Sequence, residues 1–297
     1  MLPSLTLLHQ LRLRGSLTAA AEATNTSRSA ASHQLAGLQR RLGVTLTERV
    51  GRGLRLTEAG HALALQAARV LSEMERTTAI AEQSRGDLAG TVVVATVQTI
   101  AVAVVPRLLT RVRSDHPSLR VEVRDLASRH AIRSVSAGEA DVAVVPQYDT
   151  APLRPDTALR RHHLFRDPIV VALPPDHRLA HTGTAVDLAD LADERWVTGD
   201  PDGHFGRLVP SLCHRAGFDP DIRHRSDDYL VIAALVADGH GVGLLPASAR
   251  PHAHAVVTRP ITSSDGRDIV AFTRGSGLER PTVSTVVQVL TAICSRP

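Results

Sequence analysis

The sequence predicts an α/β fold in three parts: a small helical module, one long helix, and a larger two-lobed α/β region. Three observations support this prediction. Short helical repeats of leucine and alanine precede an alternating apolar and polar stretch within the first 60 residues. A helical pattern without proline follows, and from residue 91 β-branched runs alternate with helical patterns. We place the domain boundaries at 1–60, 61–90 and 91–297, with one lobe built from 91–161 and 268–297 and the other from 162–267.

Charge is distributed unevenly along the chain. The formal net charge is +4, but residues 1–60 hold eight arginines and three glutamates, so this part carries +5 and the rest −1. A basic end on a near-neutral body is typical of a nucleic-acid-binding module, although a solvated basic surface would give the same balance. The two cysteines, Cys213 and Cys294, are far apart, and no apolar run approaches a membrane span. We therefore expect a soluble, cytoplasmic protein.

The first 43 residues predict three short helices. The first covers roughly 4–14 and stops at Gly15, and Thr18 is the expected cap of a second helix that runs through 24. Ser27 is a favourable N-cap for a third helix, which ends before Gly43. This spacing predicts a helix-turn-helix.

The third helix has one apolar face, formed by Ala31, Leu35, Leu38 and Leu42, and one polar face. Small hydroxyls, a histidine and arginines on an exposed face suit base edges and phosphates in a major groove, although an ordinary amphipathic helix is an alternative interpretation. The predicted DNA contacts from this helix are Ser27, Arg28, Ser29, Ser32, His33 and Arg40.

A hairpin is predicted over residues 46–56, where apolar and polar residues alternate around two glycines. Arg49, Arg52 and Arg55 would lie on this hairpin as on a wing, within reach of phosphates or a minor groove. Arg52, between the two glycines, is the best minor-groove candidate.

The segment from Gly15 to Gly60 resembles the winged helix-turn-helix of LysR-type transcriptional regulators. Three residues depart from the usual pattern of that family: Arg28 replaces the commonest glutamine, Gln39 a glutamate, and Thr47 a phenylalanine. Arg28 should alter operator preference, because arginine reads guanine where glutamine reads adenine, and the loss of the phenylalanine should loosen packing under the wing. The matching residues are Gly15-Ser16, Ala20-Ala21, Ser27, Ser29-Ala30, Ser32, Gln34-Leu35, Leu38, Leu42-Gly43, Leu46, Arg49, Leu56-Thr57 and Ala59-Gly60.

A helix is predicted from Thr57, its cap, to about Ser84, where Ser84–Asp87 is interpreted as a hinge. A rod of ~40 Å is too long to be buried by the small module. We therefore expect a homodimer through this helix, against the alternative of a monomeric core helix; the family resemblance implies the same linker helix and a dimer or a dimer of dimers. The expected heptad seam is Leu63, Ala67, Val70, Met74, Thr77 and Ala81.

From residue 91 the order of elements predicts βαβ units, a parallel sheet and two lobes around a hinged cleft. This region resembles the family's effector-binding domain, which is similar to type 2 periplasmic solute-binding proteins. The predicted strands are 91–97, 119–125, 142–145, 169–173, 222–224, 242–245 and 269–273, and the predicted helices are 100–114, 129–137, 206–216, 228–237 and 282–294.

Ligands in such a cleft should meet strand ends and helix N-termini. The turn 96–99 precedes a helix and offers N–H groups and a hydroxyl to a polar or anionic molecule. The resemblance implies effector contacts at this turn and in the loop near 200, although each position could also be an ordinary loop. The candidate effector contacts are Thr96, Gln98, Thr99, Pro146, Gln147, Asp200, His204 and Asp227.

Motifs of enzymes and metal sites do not fit this sequence. The glycines of 239–243 lie between a helix and a strand, the reverse of a dinucleotide-binding turn, and the paired histidines lack a metalloprotease or cysteine-rich context. We expect no catalytic residue, metal or cofactor.

The predicted function is a regulator that binds double-stranded DNA under the control of a small-molecule effector. The alternatives are a ligand-sequestering solute-binding protein and a cytoplasmic enzyme that uses the cleft.

Overall fold

Three short helices and a β hairpin form the N-terminal part of the computed structural model, which describes residues 1–51, 53–83, 88–148, 159–252 and 256–295. The elements are α1 (Leu2–Arg14), α2 (Leu17–Ala23), α3 (Arg28–Leu42), β1 (Thr47–Val50) and β2 (Gly53–Leu56). β1 and β2 are antiparallel, and the predicted winged helix-turn-helix is confirmed.

Local capping explains where the three helices begin and end. Ser27 caps α3 as predicted, accepting a hydrogen bond from the backbone N–H of Ala30 at 3.1 Å. The cap of α2 is Ser16 and not Thr18, because Leu17 already lies in the helix and packs on the core of the module. Asn25 ends α2 in the left-handed conformation, at φ 50°.

The core of the N-terminal module is made of leucine and alanine from every helix. Ala31, Leu35 and Leu38 of α3 are buried against α1 and α2. Leu42, the fourth member of the predicted stripe, is exposed, because the last turn of α3 extends beyond this core. Burial of one face leaves the polar face of α3 directed to the outside.

A close backbone contact fixes the hairpin to the next helix, α4 (Glu58–Gln83). Thr57 caps α4, as predicted, through a 3.0 Å bond from the Gly60 N–H. Gly60 lies so close to the hairpin that an added Cβ would be 2.0 Å from the carbonyl oxygen of Leu46. Only glycine fits at this position without moving the wing.

Gly60→Ala should therefore destabilise the N-terminal module by about 1–3 kcal/mol, since the backbone must shift to admit the methyl group. The matched control is Gly37→Ala in α3, where an added Cβ meets nothing within 4 Å. This control should stabilise the helix by roughly 0.5–1 kcal/mol. Hydrogen exchange of the α3 amides in the full chain measures both effects. Equal protection in the two variants would contradict the steric argument.

α4 presents two different faces. One face, including Ala64, Ala67 and Ala79, is buried within the chain. The predicted seam is only partly covered: Leu63 is half-buried and Ala67 buried, whereas Val70 is 43% exposed and Met74 46% exposed. Thr77 and Ala81 are exposed as well. The chain thus leaves an apolar stripe of α4 open in its second half.

The C-terminal region is one mixed sheet flanked by helices. Its elements are β3 (Gly90–Thr96), α5 (Gln98–Asp115), β4 (Leu119–Asp125), α6 (Ser128–Ser136), β5 (Val142–Tyr148), β6 (Leu159–Leu173), β7 (Arg195–Thr198), α7 (His204–Arg215), β8 (Asp221–Arg225), α8 (Tyr229–Ala237), β9 (Val242–Pro246), β10 (Val257–Pro260), β11 (Gly266–Arg274) and α9 (Pro281–Cys294). The strand order is β4-β3-β5-β11-β6-β9-β7-β8, with β10 also paired to β6.

The long strand β6 joins the two lobes. Its residues from 159 to 168 pair with β11, and its residues from 170 to 173 pair with β10. Within each lobe the predicted parallel pairing is confirmed, since β3 is parallel to β4 and β5, and β7 is parallel to β8 and β9. The prediction of a parallel sheet is wrong at the junction, where β5, β11, β6 and β9 pair antiparallel.

The first half of β6 and all of β7 and β10 were missing from the predicted elements. The segment 159–168 is rich in arginine and histidine, and only Leu164 and Asp167 are buried within it. It pairs because β11 lies beside it, a partner about 100 residues away in sequence. β7 has only four residues, too few for periodicity to identify.

The N-terminal module contacts the first lobe through α1. His9 hydrogen-bonds the carbonyl of Ser136 at 3.1 Å, and Gln10 donates to the carbonyl of Ala137 at 2.9 Å. Arg14 forms an ion pair with Glu139. His9 and Gln10 are only 4% and 3% exposed, so these polar contacts are enclosed. The turn that follows α6 is therefore attached to α1.

The second half of α4 contacts the same lobe. Glu75 forms an ion pair with Arg274 at 2.7 Å and accepts a hydrogen bond from Ser276 at 2.7 Å, and Arg76 pairs with Glu279 at 3.0 Å.

In the described part of the chain, none of the helices combines the length and hydropathy that crossing a membrane requires.

Candidate nucleic-acid interface and interlobe site

A concave surface encloses a volume of about 880 Å³ between the N-terminus of α2, the exposed face of α3 and the hairpin. Four of the predicted DNA contacts line it: Arg28, Ser29, Ser32 and Arg49. All four are exposed. Burial of Ala31, Leu35 and Leu38 turns the face of α3 that carries Arg28, Ser29 and Ser32 outward, and Arg49 lies on β1 of the hairpin. None of the described residues that line this surface is acidic, so it presents arginine charge and hydroxyl groups to whatever enters.

The other predicted DNA contacts lie beside this surface. Ser27, His33, Arg40 and Arg55 are exposed but do not line it. Arg55 is paired across the hairpin with Glu48, at 2.7 Å. Arg52 lies outside the described residues.

Residues that the sequence analysis did not select also line the concave surface, among them Ser16, Thr18 and Ala36. Ser16 and Thr18 belong to the N-terminal turn of α2, which faces α3 across the surface. The signal for them was present, since hydroxyl residues at a helix N-terminus commonly bind phosphate.

Gln39 and Thr47, two of the three residues that depart from the usual LysR-type pattern, contact each other. The Gln39 side-chain oxygen accepts hydrogen bonds from the backbone N–H groups of Leu46 and Thr47, at 2.7 and 3.0 Å. The Thr47 hydroxyl donates to the same oxygen at 3.3 Å. A polar contact thus ties the base of the wing to α3 at the position where an aromatic side chain was expected.

A second candidate site lies where the two lobes meet, around the buried guanidinium of Arg267 on β11. This side chain is 1% exposed and donates from Nε to the Asp167 carboxylate at 2.8 Å. Its Nη1 donates to the Tyr148 hydroxyl at 3.2 Å, and its Nη2 to the hydroxyls of Thr99 and Ser248, each at 3.1 Å. Ser248 also donates to Asp167, at 2.9 Å from its N–H and 2.7 Å from its hydroxyl. Residues from both lobes are thereby joined in one network.

The electrostatics keep this network charged at Arg267. Burial by itself would lower the pKa of Arg267, but Tyr148, Tyr229 and Asp167 outweigh it and raise that pKa above its ordinary value. Burial raises the pKa of Tyr229 well above its usual range, so this phenol stays neutral at physiological pH. One buried ion pair therefore stands at the lobe junction, surrounded by hydroxyl groups.

The predicted effector contacts of the first lobe fall into two groups. Thr99 belongs to the Arg267 network, and Pro146 is buried beside it in β5 and lines a cavity between the lobes. The other three lie elsewhere. Thr96 is fully buried and its hydroxyl donates to Val144, Gln147 accepts a hydrogen bond from Arg161, and Gln98 is exposed at the start of α5.

The predicted contacts of the second lobe form a turn before α7. The Asp227 carboxylate accepts from the Asp200 N–H at 3.0 Å, and the Asp200 carboxylate accepts from the Asp202 N–H at 2.9 Å. Both carboxylates are therefore engaged in shaping the turn. His204 begins α7, and its side chain lies outside the described part of the chain.

Arg267, Asp167 and Ser248 were not identified from the sequence. They come from two strands and a turn that are separated by up to 100 residues, and no spacing rule connects them. The one available signal was an arginine two residues before the mainly apolar run at 269–273, because a charge at the start of a buried strand requires a partner.

The two thiols lie in separate cores. Cys213 of α7 is fully buried, and burial raises its pKa to about 12. Cys294 of α9 is half-buried, and burial raises its pKa to about 11. In the described part of the chain, no group of histidine, cysteine or acidic residues is arranged to hold a metal ion.

Comparison with known proteins yields two family matches. The model of a bacterial regulatory helix-turn-helix protein, lysR family, matches residues 2–61, and that of the LysR substrate binding domain matches residues 85–295.

Individual proteins of known name are similar over most of the chain. A small neutral protease regulatory protein of Streptomyces coelicolor is 31% identical, over 83% of this chain and 78% of its own. A hydrogen peroxide-inducible genes activator of Pectobacterium carotovorum subsp. carotovorum is 28% identical, over 78% and 75%. Among solved structures, a full-length OxyR variant from Pseudomonas aeruginosa has a TM-score of 0.72 at 22% identity and covers 100% of this chain and 95% of its own.

Proposed function

Because the chain belongs to the LysR family of transcriptional regulators, we propose that it binds operator DNA as a homodimer and alters that binding when a small molecule occupies its interlobe cleft. It is a DNA-binding regulator with an effector-binding domain. The observation that carries the proposal is the concave, acid-free surface between α2, α3 and the wing. The relatives are regulators, which favours this function over an enzyme or a solute-binding protein.

We assign base discrimination to the N-terminal end of α3. Arg28, Ser29 and Ser32 lie on its exposed face, and an arginine at the tip of a recognition helix can donate two hydrogen bonds to guanine. Arg49 on the wing, and Arg40 and Arg55 beside it, supply phosphate contacts and hence salt-dependent affinity. Ser27 and His33 are the remaining DNA contacts that we propose for the N-terminal half of α3 and its cap.

The open stripe of α4 supports dimerisation. Val70, Met74 and Ala81 lie on one face at spacings of four and seven and are exposed in the single chain. A second copy of α4 would cover this stripe and place two recognition helices on successive half-sites. The assembly of two such dimers is a further step of the same proposal.

We keep the domain boundaries of 1–60, 61–90 and 91–297 and a cytoplasmic location.

The route of effector coupling runs through α6. Its first residue, Ser128, lines the interlobe cavity. The carbonyl of its last residue, Ser136, bonds His9 of α1, and the carbonyl of Ala137 in the following turn accepts from Gln10. α6 is nine residues long, so it spans about 14 Å between the cleft and the DNA-binding module. An effector that favours one lobe arrangement would reposition that turn, provided that it binds the two arrangements unequally.

A response to peroxide through the thiols does not fit this chain. Cys213 is fully buried and Cys294 half-buried, and burial raises their pKa values to about 12 and about 11, so both thiols are almost entirely protonated at pH 7. Hydrogen peroxide should leave operator binding unchanged and Cys213 unmodified by mass spectrometry. The same protein unfolded in guanidinium should react at both thiols. Rapid native oxidation of Cys213 would contradict this prediction.

The proposal is tested by binding of the purified protein to the intergenic DNA upstream of its own gene, across a salt series. We expect tight binding whose logarithm falls linearly with the logarithm of salt concentration, with a slope of roughly −0.9 per phosphate contact. A shuffled fragment of equal composition is the control. Equal, weak binding to both fragments at all salt concentrations would overturn the proposal.

A further inference from the structure

A cavity of about 390 Å³ between the lobes is lined by basic side chains that the proposed function does not use. Arg129, His130 and Arg133 reach it from α6 on the first lobe, and Arg207 reaches it from α7 on the second. Asp202 is the one acidic residue among the described residues that line it. The cavity therefore has a strong excess of positive charge contributed by both lobes.

The guanidinium groups are open to a ligand. Arg129, Arg133 and Arg207 are exposed, and Arg207 donates to the backbone carbonyl of Asp202 at 2.7 Å. Within the described ranges of the chain, the side chains of Arg129 and Arg133 form no hydrogen bond or ion pair. This contrasts with Arg267 nearby, whose donors are taken up by Asp167 and hydroxyl groups.

Two helices begin at the same cavity without a side-chain cap. α6 follows Ala127 and α7 follows Gly203, and neither of these N-cap residues provides a hydrogen bond to the first turn. Ala127, Ser128 and Gly203 all line the cavity. Two sets of N–H groups, each at the positive end of a helix dipole, thus face the same space as the arginines.

We propose that this cavity binds a small organic dianion, held between the N-termini of α6 and α7 by Arg129, Arg133 and Arg207. The inference rests on the proposed function and names the chemical class of its effector. The volume suits a small molecule, and Pro146 and Tyr148 supply an apolar wall between the anionic ends. Two carboxylates, or one phosphate monoester, provide the charge that this arrangement requires.

The charge distribution also explains how the ligand changes the lobes. Without it, Arg129 and Arg133 face Arg207 across the cavity, and like charges oppose approach of the lobes. A dianion between them replaces repulsion with attraction from both sides. Closure therefore depends on two negative charges and not on volume alone, so a neutral molecule of the same shape leaves the lobes apart.

Calorimetry on the full chain tests the proposal with terephthalate, succinate and phenyl phosphate as dianions, benzoate as a monoanion and benzyl alcohol as a neutral probe. We expect at least one dianion to bind about 10-fold or more tightly than benzoate, and benzyl alcohol not to bind. Comparing the affinity for phenyl phosphate with the affinities for terephthalate and succinate distinguishes a phosphate ligand from a dicarboxylate.

Arg207→Gln and the double variant Arg129→Gln/Arg133→Gln should each weaken dianion binding about 10-fold or more. Arg120→Gln is the matched control, because this arginine is exposed on β4 and pairs with Glu122. Absence of binding by every dianion, or binding that these arginine variants leave unchanged, would overturn the inference.

Operator binding without ligand separates this inference from the proposed function. The unsubstituted chain and the Arg120→Gln control should bind the upstream DNA alike, and circular dichroism establishes that the cavity variants fold. Operator binding with no dianion response refutes only the inference, whereas dianion binding without operator binding refutes only the proposed DNA activity.

Discussion

Arg267→Met is expected to destabilise the effector-binding region by about 3–5 kcal/mol, because it leaves the Asp167 carboxylate charged and buried without its partner. The hydroxyls of Thr99, Tyr148 and Ser248 lose a shared donor as well. Urea unfolding followed by fluorescence of Trp196, the single tryptophan, measures the effect within the second lobe.

The matched control is the double variant Arg267→Met/Asp167→Asn. The asparagine oxygen still accepts from the Ser248 N–H, but the buried negative charge is gone. We expect the double variant to recover most of the stability that the single variant loses, since an uncompensated charge costs more than a missing pair. If both variants lose the same amount, packing around Arg267 and not its charge accounts for the loss.

Arg28→Ala is expected to weaken operator binding by about 1–3 kcal/mol per half-site and to relax base preference at one position. A dimer loses this contact twice, so the decrease in affinity should reach on the order of 10²-fold or more. Competition between the natural site and sites with substituted guanines measures both the affinity and the preference.

Arg49→Ala is the informative comparison, because its proposed contact is with phosphate. It should weaken binding to all DNA sequences alike and reduce the salt slope by about 1 for each protomer, or about 2 for the dimer. Arg69→Ala on the exposed surface of α4 should leave both quantities unchanged. An Arg28→Ala protein that weakens binding uniformly, as Arg49→Ala should, would assign Arg28 to the backbone and leave base discrimination to Ser29 and Ser32.

The position of Arg28 could be predicted from local sequence, whereas that of Arg267 could not. Ser27 caps α3 and the apolar stripe orients it, so the exposed face of the helix follows from residues within one turn of each other. The Arg267 network joins Thr99, Tyr148, Asp167 and Ser248, which no local period relates. Candidate effector residues chosen by local turn geometry were accordingly mixed: Thr99 lies in the network, and Thr96 is in the core.

Local sequence was sufficient to predict the DNA-binding module, the long helix and the alternation of strands and helices, because caps, glycines and hydrophobic periods act over a few residues. The antiparallel junction of the lobes, the docking of α1 on the turn after α6, and the meeting of two helix N-termini at one basic cavity arise only in the folded chain. Each of these depends on which distant segment lies alongside, and hydrogen bonds and charge pairs between strands form only after the chain has brought those segments together.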